Sequence, residues 1–357
     1  MYDEIAGRLR EAAEAGKRVR VRGGGTKLHW GAPAQADVEI ATAGLDAIVE
    51  HNVGDLTAVV QAGVPMARLR ETLAAEGQML AIDPPLLDGA TVGGTLATGD
   101  SGPLRHRYGA PRDLVLGMTV ALSDGTVARA GGKVIKNVAG YDLAKLFTGS
   151  FGTLGAILEV AVRLHPLADT ATAVGASDDP GAIAAAASQV AHSSIEAQCL
   201  DVTWSGAGRV LVRVAGAQAD AQADEAARLM REQGLETSIE PEDGALWDEQ
   251  RARQRSADHT VVKVAGVQTQ IADQIRAAER LGGSLVARAA HGLAWITVAD
   301  GVDELRRELA PSPCVVLDGD HPDPWGAEPA ATELMRRVKE RFDPARACNP
   351  GVFVGGI

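Results

Sequence analysis

The feature that most constrains this chain is a glycine triplet placed at the end of a strand. Val19 and Val21 alternate with Arg18, Arg20 and Arg22, the two-residue period of a strand with one apolar face. The run opens directly into Gly23-Gly24-Gly25-Thr26-Lys27. Glycine permits conformations and close approaches that a Cβ forbids, and successive amides in such a loop can be turned toward one anion. The triplet alone also suits a simple turn. It is not the G-x-G-x-x-G fingerprint, because Leu28 stands where the third glycine should fall. A Gly-Gly-Lys at 131–133 is followed by Val134, which has no hydroxyl for Mg²⁺, so it is not a P-loop.

A second loop changes the weight of the first. Ala90-Thr91-Val92-Gly93-Gly94-Thr95-Leu96-Ala97-Thr98-Gly99-Asp100-Ser101-Gly102 reads as a short helical turn between glycines, with hydroxyls and exposed amides on offer. Arg105, His106, Arg107 and Tyr108 follow at once, a set of cations and aromatic rings suited to a planar, electron-poor ring system. The net charge of −12 excludes a general nucleic-acid binder, which needs a cationic face. The basic stretch Lys17, Arg18, Arg20, Arg22 and Lys27 is therefore a local feature; Arg18 and Arg20 fit a solvated strand face, whereas Arg22 and Lys27 flank the triplet.

With 357 residues, 46% of them hydrophobic, the chain can bury two cores. No apolar run reaches the ~18 residues of a membrane span, and Met1-Tyr-Asp-Glu lacks the features of a secretory signal. Cys199, Cys314 and Cys348 are odd in number, far apart and without metal-site spacing, which suits a reducing, cytoplasmic setting. No two of the eight histidines stand at i, i+4, so no metal site is expected; isolated ones such as His51 and His165 read as structural.

Residues 3–15 and 64–76 have helical spacing, and strands are expected at 38–40, 57–61, 114–122 and 154–164. Ser123-Asp124-Gly125-Thr126 is hairpin turn chemistry, and Tyr141 to Phe147 reads as helical. From about 168 the texture changes. Helices at 180–192, 218–233, 268–281, 301–309 and 328–341 alternate with short strands at 197–203, 209–215, 260–265, 285–288, 294–298 and 314–317. That alternation predicts a second α+β domain with an antiparallel sheet and helices on one face.

Taken in order, several stretches resemble the FAD-linked oxidases of the vanillyl-alcohol oxidase/p-cresol methylhydroxylase superfamily, and within it the FAD-binding subunits of bacterial glycolate oxidase. They are Arg22 to Thr26, Gly54 to Gly63, Ala90 to Gly94, Ser101 to Asp113, Gly132 to Leu143, Gly149 to Gly155, Phe342-Asp343-Pro344 and Asn349-Pro350-Gly351. The resemblance implies an α+β chain: a two-subdomain FAD-binding domain of the p-cresol methylhydroxylase type over 1–167, a smaller ferredoxin-like domain over 168–340, and a C-terminal segment, 341–357, returning to the first. It implies a first pyrophosphate loop of Gly23, Gly24, Gly25 and Thr26 with Arg22 and Lys27 beside it. A second would comprise Thr91, Val92, Gly93, Gly94, Thr98, Gly99 and Ser101. Further cofactor contacts would come from Pro84, Tyr108, Asp113, Gly152, Thr153, Ile157 and Asn349. Lys136, Asn137 and Tyr141 are expected near the ring.

Departures from the family pattern sharpen the expectation. Where a histidyl–flavin bond would form stands Thr26, and residues 99–112 contain no cysteine, so FAD is expected to be non-covalent. Phe151 replaces the glutamate of Gly-Ser-Glu-Gly-Thr-Leu-Gly, and Leu317-Asp318-Gly319-Asp320-His321-Pro322 lacks a paired histidine and reads as a surface turn. Hydroxy-acid oxidation needs a base near the flavin and a cation for the carboxylate; the candidate catalytic residues are His106, Arg105, Lys136, Tyr141 and His321. Two functions are expected. One is an FAD-dependent oxidoreductase subunit acting on a small 2-hydroxy acid such as glycolate. The other is an electron-relay subunit working with a second flavin subunit and an iron–sulfur subunit.

Overall fold

The computed structural model describes residues 1–134 and 142–357. The chain forms two compact units, one of residues 1–101, 109–167 and 328–357, the other of 102–108 and 168–327.

The first unit opens with α1 (Tyr2–Glu14), which carries Asp3 and Glu4 in its first turn, where they complement the positive end of the helix dipole. Its buried residues Ile5, Ala6, Leu9 and Ala12 recur at helical spacing. They join Val19, Ile40, Leu45, Ala121 and Leu158 in one core. Burying a side chain such as Leu9 contributes about 1.5–3 kcal/mol. Strands β1 (Val19–Arg22) and β2 (Val38–Ala41) pair in parallel, and Val19 also bridges Cys348 of the C-terminal segment. There follow β3 (Ile48–Asn52), β4 (Thr57–Gln61), α2 (Met66–Ala74), β5 (Gln78–Met79) and α3 (Val92–Thr98).

After α4 (Arg105–Tyr108), which belongs to the second unit, the first unit resumes with β6 (Val115–Ala121), β7 (Val127–Gly131), α5 (Ala144–Phe147), β8 (Ala156–Arg163) and β9 (His165–Pro166). Five strands make an antiparallel sheet in the order β3-β4-β8-β6-β7, and β5 pairs with β9. The β6–β7 hairpin turns where its chemistry predicts: Gly125 has φ +84 and Asp124 Oδ1 accepts from the Thr126 amide at 2.8 Å.

In the second unit the order is β10 (Thr170–Ser177), α6 (Pro180–Ala191), β11 (Ala197–Trp204), β12 (Gly208–Ala215), α7 (Ala219–Glu232) and β13 (Glu236–Glu240). After α8 (Gly244–Ala252) come β14 (Thr260–Ala265), α9 (Ile271–Arg280), β15 (Ser284–Arg288), β16 (Leu293–Val298), α10 (Val302–Glu308) and β17 (Cys314–Asp318). All eight strands form one antiparallel sheet, β13-β10-β12-β11-β15-β16-β14-β17. Each half is a β-α-β-β-α-β module with the ferredoxin-like strand order, and the two halves meet edge to edge at β11 and β15. The expected ferredoxin-like part is thus doubled, although the sequence carries no visible repeat. Residues of α6, α7, α9 and α10 bury into a single core with one face of this sheet.

Two boundaries differ from the sequence expectation. The last helix, α11 (Thr332–Phe342), lies in the first unit rather than before the returning segment. The reason is Lys339, whose buried Nζ donates to Thr153 O and Cys348 O, both at 2.7 Å, and to Asp343 Oδ2 at 2.6 Å. Residues 102–108 leave the first unit for the second, held there by Gln198 Nε2 donating to the Tyr108 hydroxyl at 3.2 Å and by Arg107 paired with Glu196 at 2.9 Å.

Candidate cofactor-binding site

The first glycine loop leaves β1 and lies directly on the segment before α3. A Cβ on Gly23 would fall 2.2 Å from Thr91 Oγ1, and one on Gly24 would fall 1.8 Å from the Gly89 carbonyl oxygen. The two loops therefore touch backbone to backbone, which only glycine allows. Gly25 takes φ +83 and completes the turn. Among the described residues, no protein group accepts from the amides of Gly24, Gly25 or Thr26, so three successive donors are open. Arg22 beside them is half-exposed and paired with Glu39 at 2.8 Å.

The second loop contributes differently from the expectation. Thr91 caps α3, its Oγ1 accepting from the Gly94 amide at 3.3 Å, and Gly99 closes the helix in the left-handed region at φ +64. The amides of Val92 and Gly93 are taken by Val64 O and Ala62 O at 2.9 and 2.7 Å, and that of Thr95 by Thr91 O at 2.9 Å. The start of α3 is thus consumed by the fold, and the open amides belong to the first loop. Gly93 is glycine because a Cβ there would meet Ala62 Cβ at 2.6 Å. Thr98 turns its hydroxyl back to Gly94 O at 3.0 Å, while Pro84 and Ser101 are buried. Lys27 Nζ lies 3.2 Å from Asp100 Oδ2, an ion pair with side chains only 5% and 3% exposed that ties the two loops together.

The remaining expected contacts fall at three places. Asp113 accepts from the Ala110 amide at 2.8 Å, a local turn contact. Thr153 is buried and donates to Ser150 O at 2.7 Å, and Ile157 sits buried in β8 opposite Val120. Asn349 Nδ2 donates to Phe151 O at 2.7 Å, holding Phe151 at φ +56 next to Gly152 at φ +71. That left-handed pair explains why the returning C-terminal segment matters to the loop 149–155. Tyr108 lies in the second unit with its hydroxyl on Gln198.

Of the candidate catalytic residues, Arg105 and His106 sit on α4 in the second unit. His106 meets His291 edge to face at 5.7 Å. Burial, together with the His291 and Arg107 charges, pushes its imidazole down to about 4, so it is neutral at neutral pH. His321 is occupied by its own turn, with Nδ1 2.8 Å from Asp323 O and Nε2 3.7 Å from Asp303. Lys136, Asn137 and Tyr141 lie outside the described residues. Sequence reasoning missed Asp100 and Lys339. Asp100 stands one residue past the helix-ending Gly99, and Lys339 stands four before Asp343; those spacings were the available signals.

The donor set fits an anionic group: three open amides in a row, a lysine at the loop's end, and glycines where any side chain would collide. No group of three or more His, Cys, Asp or Glu side chains is placed to hold a metal among the described residues. Residues 2–131 match the family model described as FAD binding domain. Glycolate oxidase subunit GlcD of Bacillus subtilis is 36% identical over 169 residues, 47% of this chain and 36% of that protein. Glycolate oxidase subunit GlcE of Escherichia coli is 40% identical over 120 residues, 33% of this chain and 34% of that protein. D-lactate dehydrogenase of Archaeoglobus fulgidus is 36% identical over 166 residues, 46% of this chain and 37% of that protein. The chain thus matches little more than a third of the length of each of these relatives. A solved alkyldihydroxyacetonephosphate synthase shares the fold over 98% of this chain and 75% of its own, with a TM-score of 0.73 at 14% identity. Residues 2–131 thus carry the match to the FAD binding domain, and FAD is the cofactor this part of the chain is built to take.

Proposed function

We propose that the chain is the FAD-binding subunit of a 2-hydroxy-acid oxidase or dehydrogenase, acting on a small acid such as glycolate and holding its FAD non-covalently. The observation that carries this reading is the run of open amides at Gly24, Gly25 and Thr26 against the Gly89–Thr91 backbone, in a domain shared with glycolate oxidase subunits and D-lactate dehydrogenases. Gly23 to Lys27 would hold the pyrophosphate. Bound FAD would supply the hydride acceptor. Arg105 retains a cation suited to a carboxylate. Thr26, where a histidyl bond would be made, supports the non-covalent mode, and the buried Cys199, Cys314 and Cys348, none of them in a disulfide among the described residues, suit the cytoplasm.

A second reading is an electron-relay subunit that works with a catalytic flavin subunit and an iron–sulfur subunit. The depressed basicity of His106 and the engagement of His321 with its own turn favour it, because both are weakened as proton acceptors. No helix is long and apolar enough to cross a membrane among the described residues. Anaerobic mixing of the FAD-loaded chain with glycolate or D-lactate separates the readings. Bleaching of the flavin band by the chain alone supports the enzyme. Bleaching only after partner subunits are added supports the relay. A purified chain that neither carries nor takes up FAD overturns both.

A further inference from the structure

The Lys27–Asp100 pair is an unusual feature beside a loop proposed to receive an anion. Both side chains are buried, at 5% and 3% exposure, and they join the residue after the first glycine loop to the residue after the helix-ending Gly99. Asp100 Oδ2 lies 3.2 Å from the ammonium yet makes no aligned hydrogen bond. Lys27 Nζ also reaches Thr26 Oγ1 at 3.5 Å and lies 5.8 Å from the Trp30 ring centroid. A misaligned contact is a poor mechanical latch, since hydrogen-bond strength falls steeply with angle. Charge cancellation is less demanding, because Coulomb attraction depends on distance and on the low effective dielectric of buried surroundings.

We propose that Asp100 is a positioning residue that acts through Lys27: it masks the lysine's charge beneath the two loops and so sets how tightly, and how reversibly, the chain holds the FAD pyrophosphate. This inference rests on the proposed pyrophosphate role of the Gly23–Lys27 loop. With both partners ionised the pair is neutral and adds little to the field at the open amides of Gly24, Gly25 and Thr26. Removing the carboxylate takes one negative charge away from the loop that would receive the anion. Removing the ammonium exposes a buried anion there. The two substitutions therefore change FAD affinity in opposite directions, whereas a mechanical latch weakens when either partner is lost.

The experiment titrates apo-protein with FAD and, separately, with riboflavin, which lacks the pyrophosphate, following quenching of flavin fluorescence. Asp100→Asn is expected to bind FAD about tenfold tighter and Lys27→Met about tenfold weaker, the scale of a change of one unit charge in partly buried surroundings. Riboflavin binding should stay within about twofold in both, since an uncharged ligand feels no such field. The double variant Lys27→Met/Asp100→Leu should return FAD affinity to the wild-type value. An Asp100→Asn protein with weaker or unchanged FAD binding overturns the inference, as do equal losses of FAD and riboflavin. If Asp100→Asn does not fold, Lys27→Met decides: a loss confined to FAD supports the masking role, and a loss shared by riboflavin overturns it. A wild-type chain that binds no FAD would instead sink the proposed function itself.

Discussion

Arg288 and Asp201 face each other across the seam between β11 and β15, with Nη1 2.6 Å from Oδ2 and neither side chain exposed to solvent. Gln250 donates to the same Asp201 oxygen at 2.8 Å, Arg288 also reaches Gln254, and the guanidinium lies 4.8 Å from the Trp295 ring centroid. Breaking a buried pair from one side strands the other charge and costs about 3–5 kcal/mol, whereas replacing both partners by apolar groups is far milder. Arg288→Met should therefore lower the urea-unfolding free energy by that amount. Adding Asp201→Leu to it should restore most of the loss. Equal unfolding free energies for the single and double variants would count against the pair as the lock of the seam.

The same pair gives stability a pH signature. Burial pushes the Asp201 carboxyl up to about 6, above its ordinary value, so the folded chain binds a proton that the unfolded chain has released. Its stabilising contribution is full at low pH and is lost as pH rises through about 6. His106 acts in the opposite sense: its folded value is lowered to about 4, so its contribution is present above the ordinary histidine value and is lost as pH falls toward 4. Over the window between them the two oppose. Chemical denaturation of Asp201→Asn at a series of pH values should show stability falling steadily from about 6.5 to about 4, where the wild type is flatter.

Gly24→Ala tests the contact between the loops. The added Cβ would lie 1.8 Å from the Gly89 carbonyl oxygen, a backbone atom that cannot rotate away. The loops must separate, and displaced amides lose their common aim; a loss of FAD affinity of at least tenfold is expected, equivalent to about 1.4 kcal/mol. Gly24→Asp adds a like charge and should leave the purified protein colourless. An Ala variant that retains its full complement of flavin would contradict the assigned loop contact.

Lys339→Met tests the C-terminal tie. Its ammonium satisfies Thr153 O, Cys348 O and Asp343 Oδ2, and Asp343 also accepts from the amides of Ala347 and Cys348 at 3.1 and 2.8 Å. Without the lysine a fully buried carboxylate loses its cation, a loss of about 3–5 kcal/mol. Limited proteolysis should then cut the segment after Phe342 well before the rest of the first unit. Unchanged protease resistance would show that the segment is held by other contacts.

The elements most legible in the sequence were those whose periodicity and end signals agreed. Leu9 and its helical neighbours, the Asp124-Gly125 turn and the second-unit strands β11, β12 and β14 to β17 are all of this kind, whereas β10 was not foreseen. Less legible was β13, whose alternating Glu236, Ser238 and Glu240 are polar edge residues that carry no burial signal. The doubling of the ferredoxin-like module was also hidden, because the shared strand order is a property of pairing and not of residue identity. At the site, the glycines and Lys27 stood out by local spacing. Asp100 and Lys339 did not, because their roles depend on partners 73 and 186 residues away in the chain, Lys27 and Thr153. The open amides also defied local reading: hydrogen bonding from α3 to Val64 and Ala62 decides which loop is left with free donors.

Among the described residues, the two halves of the second unit are joined along the sheet only by β11 and β15, and the chain passes from one to the other once, through the stretch bearing α8. Topologically this is a pseudo-dimer with a covalent tether. Its interface is one strand pair with a charged bolt at its end, Asp201 opposite Arg288. Each half can diverge in loops and surface while the shared β-ladder keeps them in register, in the way that a gene-fused homodimer frees its two copies to specialise.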